Sequence, residues 1–293
     1  MLWIILTAAA APLQVARNAL QRGLVGDAGP WGATLVRFLF GLPFSLALFA
    51  VVAALTPQAA PEPNLRFLIA VSAGGVTQIA ATAALLMAMR SSGFAVATFM
   101  QQSSLPLGAL IGFFAFGDRL TPVQWAGIAV TSLALVILSW PRRALAGGVA
   151  SGSLYGLASG LAFAVALNGY RQAGLALEPA HPIYSATATL CVAQTLQSIV
   201  MVLLLAAIRP GALRAVAASW RVSLGAGFFG TAASACWFSA LALAPAGQVR
   251  AVGVIEGPFA AAAGRTLFKE RLSPRQWAGG AMAAVGVVMT ALG

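Results

Sequence analysis

Glu256 is the side chain with the most chemical potential in this chain. In Val252-Gly-Val-Ile-Glu-Gly-Pro-Phe259 it is the only acid well inside an apolar run. An ionisable group so placed is a functional hypothesis: Glu256 is read as a proton-coupling carboxylate or the partner of a substrate amine. The alternative is structural, a pair with Arg37 or Arg250 or a carboxyl held neutral. Arg250, near the start of the same run, suits a substrate carboxylate, or else snorkels to the interface. Arg17 and Asn168 lie near the ends of apolar segments and are further candidates for substrate contact. Arg37, in Leu35-Val-Arg-Phe38, is expected to make an interhelical ion pair or to contact backbone carbonyls. The amides Gln78, Gln101 and Gln102 both donate and accept, so they can read either end of an amino acid. Adjacent glutamines point about 100° apart on a helix, so one of the pair is expected to face a lumen while the other bonds a neighbour. Trp237 would stack on a substrate or simply pack. Pro106 and Pro258 each free a backbone carbonyl one turn earlier, as a hinge or as a passive kink.

Other chemistries find no residues. The single histidine, His181, lies between apolar runs, and the two cysteines, Cys191 and Cys236, sit inside them as small core residues. There are no paired intramembrane acids, no HExxH, no Ser/Lys dyad and no phosphate-binding glycine loop. The reading is a protein with no catalytic residues, metal or cofactor, hence not an enzyme and not an ATP-driven pump.

These residues must be positioned by a membrane-embedded scaffold. Of 293 residues 60% are hydrophobic and 8% charged, with mean hydropathy +0.90, whereas soluble domains carry about 25% charged residues. The net charge of +11 is scattered over segment ends and short loops. That pattern suits a lipid interface rather than nucleic acid. Ten apolar segments are expected at about 2–20, 30–55, 65–88, 93–116, 121–140, 147–171, 182–208, 219–243, 246–268 and 273–292. Breaks such as Gly26-Asp-Ala-Gly-Pro30 and Thr56-Pro-Gln-Ala-Ala-Pro-Glu-Pro63 separate them. All are read as helices, since they lack the alternation of a barrel. Gly152-x-x-x-Gly156-x-x-x-Gly160 is a small-residue ridge for close helix packing.

The stretch Phe116-Gly-Asp-Arg-Leu-Thr-Pro-Val-Gln-Trp-Ala-Gly-Ile-Ala-Val130 recurs as Phe268-Lys-Glu-Arg-Leu-Ser-Pro-Arg-Gln-Trp-Ala-Gly-Gly-Ala-Met282, nine of fifteen positions being identical at a shift of 152 residues. The same shift lays Pro106 on Pro258 and Pro30 on Pro182. One half was duplicated. In both copies a hydroxyl at N-cap and a Pro at N1, Thr121-Pro122 and Ser273-Pro274, mark a helix start. Five segments per half put the second half upside down in the bilayer. The fold expected is therefore an all-α membrane protein of ten transmembrane helices, with inverted five-helix repeats at 1–143 and 144–293. Secondary transporters use this plan for alternating access, with the site near the midplane. Loop arginines place both termini outside by the positive-inside rule.

The doubled block, with Arg37 in the second helix and mid-helix Pro106 and Pro258, resembles the EamA type of the drug/metabolite transporter superfamily over nearly the whole chain. That resemblance implies export of amino acids or other small metabolites, and termini in the cytoplasm, against the charge count. The function expected is export of a small polar metabolite, foremost an amino acid, across a bacterial inner membrane. Its energy would come from the proton gradient through Glu256 or from the substrate's own gradient. The alternatives are a drug or lipid exporter of the same fold, and a non-transporting scaffold or lipid-modifying protein.

Overall fold

The computed structural model describes residues 2–116, 121–139, 147–244, 249, 252–253 and 255–292. Its helices are α1 (Leu2–Leu39), α2 (Leu42–Leu55), α3 (Leu65–Ser92), α4 (Phe94–Gln101), α5 (Ser104–Phe116), α6 (Pro122–Ser139), α7 (Gly147–Leu177), α8 (Pro182–Ile208), α9 (Pro210–Ala218), α10 (Trp220–Leu243), α11 (Glu256–Leu267) and α12 (Pro274–Leu292). No strand occurs among the described residues. Without water to bond the backbone, a helix satisfies its polar groups internally.

The side-chain distribution is that of a lipid-embedded protein. α8 buries Gln194, Gln197 and Ser198 and exposes Ile199, Leu203, Leu204 and Ile208. In water such a helix would face the other way. Among the described residues five segments are long and apolar enough to cross a membrane: Leu2–Leu55, Leu65–Ser92, Phe94–Ala115, Pro182–Ile208 and Trp220–Leu243. The first has 54 residues. As one straight helix it would be about 80 Å long, far more than the roughly 30 Å hydrocarbon core, so it has to be broken.

It is broken twice, and the breaks differ from those expected. In place of a loop over residues 26–30, the helix runs on to a single turning residue, Gly29, with φ 69° and ψ 172°. That backbone favours glycine, and Pro30, with its preset φ, opens the next turn. The Gln21 amide donates to the Ala33 carbonyl across this break at 2.7 Å. The second break, at Phe40 and Gly41, divides the segment expected over about 30–55. Pro43 has no N–H, so the Leu39 carbonyl loses its helical donor. Here the Gly41 carbonyl accepts from Ser45 N at 3.0 Å and from Thr231 Oγ1 at 2.9 Å.

The duplication is visible in local geometry. Thr121 N donates to Gln124 Oε1 (2.8 Å) and Gln124 N to Thr121 Oγ1 (3.2 Å). Ser273 and Gln276 repeat this at 2.8 and 3.3 Å. Both are capping boxes. The breaks before the two prolines also match. Ser103 N donates to Met100 O at 3.1 Å, and Ile255 N to Val252 O at 3.3 Å, the same positions at the 152-residue shift.

The chain packs as two compact units that are not its two sequence halves: Met1–Ile79 with Ala166–Pro245, and Ala80–Val165 with Ala246–Gly293. Within the first unit α1 lies along α10 and α2 along α8. Its apolar core includes Phe67, Val71, Tyr170, Leu190 and Phe238. Within the second, α6 packs on α12 and α4 on α11, and Ala95, Val96, Phe99, Met100 and Ala261 cluster. The glycine ridge of α7 belongs here. Gly152 lies against Ser92, Gly156 against Met100 and Gly160 against Ser103, with no room for a side chain.

Candidate functional site

In the second unit the helix breaks put chemistry at their ends. α4 stops at Gln101 and α11 begins at Glu256. Glu256 is fully buried, and its Oε2 accepts from Gln102 Nε2 at 3.4 Å. Gln102 stands in the turn between α4 and α5, where Pro106 deprives its carbonyl of a helical donor. Gln101 points elsewhere, as adjacent residues of a helix must. It is 3% exposed, yet its Oε1 has no hydrogen-bond donor among the described residues. A buried acceptor left so costs about 1–3 kcal/mol.

Beside Glu256 lies a cavity of about 170 Å³ lined by Phe99, Gln102, Gly257, Pro258, Trp277 and, from α12, small residues such as Gly280 and Ala284. Among the described lining residues the polar groups are the Gln102 amide and the Trp277 indole. Pro258 therefore lines a space, whereas Pro106 is buried. Position 250 is outside the described residues, so the expectation for Arg250 has no structural counterpart.

Glu270, from the repeated block, holds the start of α4. Its carboxylate accepts from Phe94 N at 2.8 Å and from Ala95 N at 3.3 Å. An acid at a helix N-terminus satisfies orphan N–H groups and complements the helix dipole. Gly93, with φ 90°, makes the turn that brings those N–H groups to it.

The first unit contains the other predicted residues, and most are braced. Gln78 Oε1 accepts from Tyr170 Oη at 2.8 Å and from Gln197 Nε2 at 2.8 Å. Gln197 also donates to Tyr170 Oη at 3.1 Å. Trp237 is buried, with Nε1 donating to Gln14 Oε1 at 2.9 Å, which ties α10 to α1. Arg37 Nη2 donates to Ser234 Oγ at 3.2 Å. Arg17 is buried and donates to Asn18 Oδ1 through Nε (3.1 Å) and Nη2 (2.6 Å). Both arginines flank Gly230. Asn168 is half-buried on α7.

Tyr170, Gln194, Gln197 and Glu270 carry more of the network than their sequence context suggests. Gln194 donates to Thr231 Oγ1 at 3.1 Å and thereby supports the Gly41 break. The readable signal was Gln194 and Gln197 three apart, on one helix face.

At one end of this unit Glu178 ties loops together. Its Oε2 accepts from Ala60 N (3.0 Å), and its Oε1 from Ala180 N (3.2 Å) with His181 Nδ1 at 3.3 Å. Burial raises the carboxyl's pKa, but the hydrogen bonds from His181, Ala60 and Ala180 outweigh it and hold the group below the ordinary value.

Apolar outer surfaces, buried polar interiors and several apolar segments of spanning length define a multi-pass membrane protein. Residues 150–292 match the model of the EamA-like transporter family, a match that supports a protein of the EamA type within the drug/metabolite transporter superfamily. No curated protein matches it in sequence. One solved structure, described only as "Crystal structure of protein", has a similar fold at a TM-score of 0.62 and 17% identity, covering 99% of this chain and 96% of that one.

Proposed function

We propose that this membrane transporter exports a small polar metabolite, most plainly an amino acid, across a bacterial inner membrane by alternating access. The observation that carries the reading is Glu256, buried at the first turn of α11 and bonded to Gln102 beside a cavity. A carboxyl so placed can exchange a proton or meet an amine. Gln102 supplies a donor and an acceptor at the cavity wall. Gln78, Gln101, Asn168, Trp237, Arg17 and Arg250 are proposed to serve substrate binding, Arg37 to hold helices together, and Pro106 and Pro258 to mark hinges. The matching breaks and capping boxes support a ten-helix architecture of two inverted repeats, 1–143 and 144–293, which interconvert between inward- and outward-open arrangements.

The cavity's apolar lining favours a second reading, an exporter of lipophilic drugs or lipids through the same fold. Counterflow in proteoliposomes separates the two. Vesicles preloaded with the twenty amino acids should accumulate at least one of them from outside as a radiolabel. No accumulation by folded protein, with displacement of a lipophilic cation instead, would establish the second reading.

A further inference from the structure

The segment joining α8 to α10 has a composition unlike the rest of the first unit. It connects two segments of membrane-spanning length and so lies at a membrane face. Arg209, Arg214 and Arg221 are all exposed, and Trp220 is half exposed. The Arg221 guanidinium lies 5.4 Å from the Trp220 ring centroid. No acidic residue occurs anywhere between Glu178 and Glu256.

α9 itself is two-sided. Ala212 and Val216, one turn apart, pack against Gly32 of α1, and Val216 is buried. Arg214 projects from the opposite side, with Ala217 also exposed. The helix is thus held against the protein by one face and presents the other outward. In α1 the nearest charged residues preceding Gly32 in the sequence are Asp27 and Arg22, five and ten positions away. Short helices with basic residues and an interfacial Trp settle at the headgroup layer.

We propose that Arg209, Arg214 and Arg221 form a binding surface for anionic phospholipid headgroups, with Trp220 seated at the boundary between headgroup and acyl chain. The occupant follows from charge complementarity: planar guanidinium forks match phosphate oxygens in pairs. A Trp at the same place matches the interface rather than open water. The surface also anchors this face of the protein to an anionic leaflet.

The test is native mass spectrometry of the purified full chain, titrated with equimolar phosphatidylglycerol and phosphatidylcholine. The wild type should retain phosphatidylglycerol preferentially, and raised salt should weaken that preference. A basic residue near an anionic surface contributes about fivefold, so Arg209→Gln, Arg214→Gln and Arg221→Gln together should cost about a hundredfold in preference at low ionic strength. The corresponding triple Lys variant, which keeps the charge and loses the fork, should fall between the wild type and the triple Gln variant, which separates charge from a folding defect. Equal retention of both lipids by the wild type overturns the proposal. So does a triple Gln variant, with unchanged thermal unfolding, that keeps the wild-type preference.

Discussion

The two units bury polar groups in different ways. In the first, polar side chains are largely spent on one another: Tyr170 with Gln78 and Gln197, Trp237 with Gln14, Arg37 with Ser234, and Gln194 with Thr231. Both units leave buried acceptors without a donor among the described residues, Gln21 Oε1 in the first and Gln101 Oε1 in the second; the second places its own beside a helix break and a cavity. Gln102 reaches Glu256 at 3.4 Å, the Gln101 Oε1 has no donor among the described residues, and a cavity of about 170 Å³ adjoins them. A satisfied buried network rigidifies, whereas an acceptor left without a donor carries its desolvation cost. On the proposed function, proton chemistry falls to Glu256 of the second unit, while the bracing contacts named above belong to the first.

The largest expected effect is that of Glu256→Gln. It should reduce pH-gradient-driven uptake to the level of protein-free vesicles while counterflow exchange persists. Gradient-driven uptake at the wild-type rate would remove the distinction between the units. Next comes Tyr170→Phe in the first unit. It deletes the donor to Gln78 and the acceptor of Gln197, and should cost about 1–3 kcal/mol. Thermal unfolding in detergent should register the loss, with the ratio of gradient-driven to exchange transport unmoved.

Gln101→Leu should act with the opposite sign. Removing an acceptor that has no donor stabilises by about 1 kcal/mol, and if the amide serves the substrate, counterflow falls as the melting temperature rises. A drop in stability would mean that Gln101 is held by its surroundings after all.

The smallest effect concerns Glu178. Its folded pKa lies below its unfolded one, so its contribution to stability is present above about pH 4.3, the ordinary carboxylate value, and is lost as pH falls through the folded pKa. Glu178→Gln should slightly lower the melting temperature at neutral pH and flatten its decline on acidification through that range. An unchanged acid slope would show that the carboxylate is not held by its loop partners.

Much of this was legible in the sequence because it depends on local chemistry. Composition alone requires burial in lipid, and lipid requires helices. The hydroxyl, proline and glutamine of the doubled block encode a capping box within four residues, and both copies form one. The missing N–H of Pro106 and Pro258 encodes a break one turn earlier. Even so, the later part of α1 reads as a loop over residues 26–30, although Gly29 alone can make the turn once Pro30 follows and Gln21 spans the gap.

Tertiary structure decided what no local rule contains: which buried side chain meets which. Trp237 finds Gln14 across more than two hundred residues of chain, Gln102 finds Glu256, and Glu270 finds the N-terminus of α4. Each pairing depends on how helices rotate and cross, and burial cost then favours a partner for the polar groups brought inside. For the same reason the duplication at 152 residues is visible in the sequence, whereas the compact units, which divide α3 and α7 and draw on both halves, follow from packing.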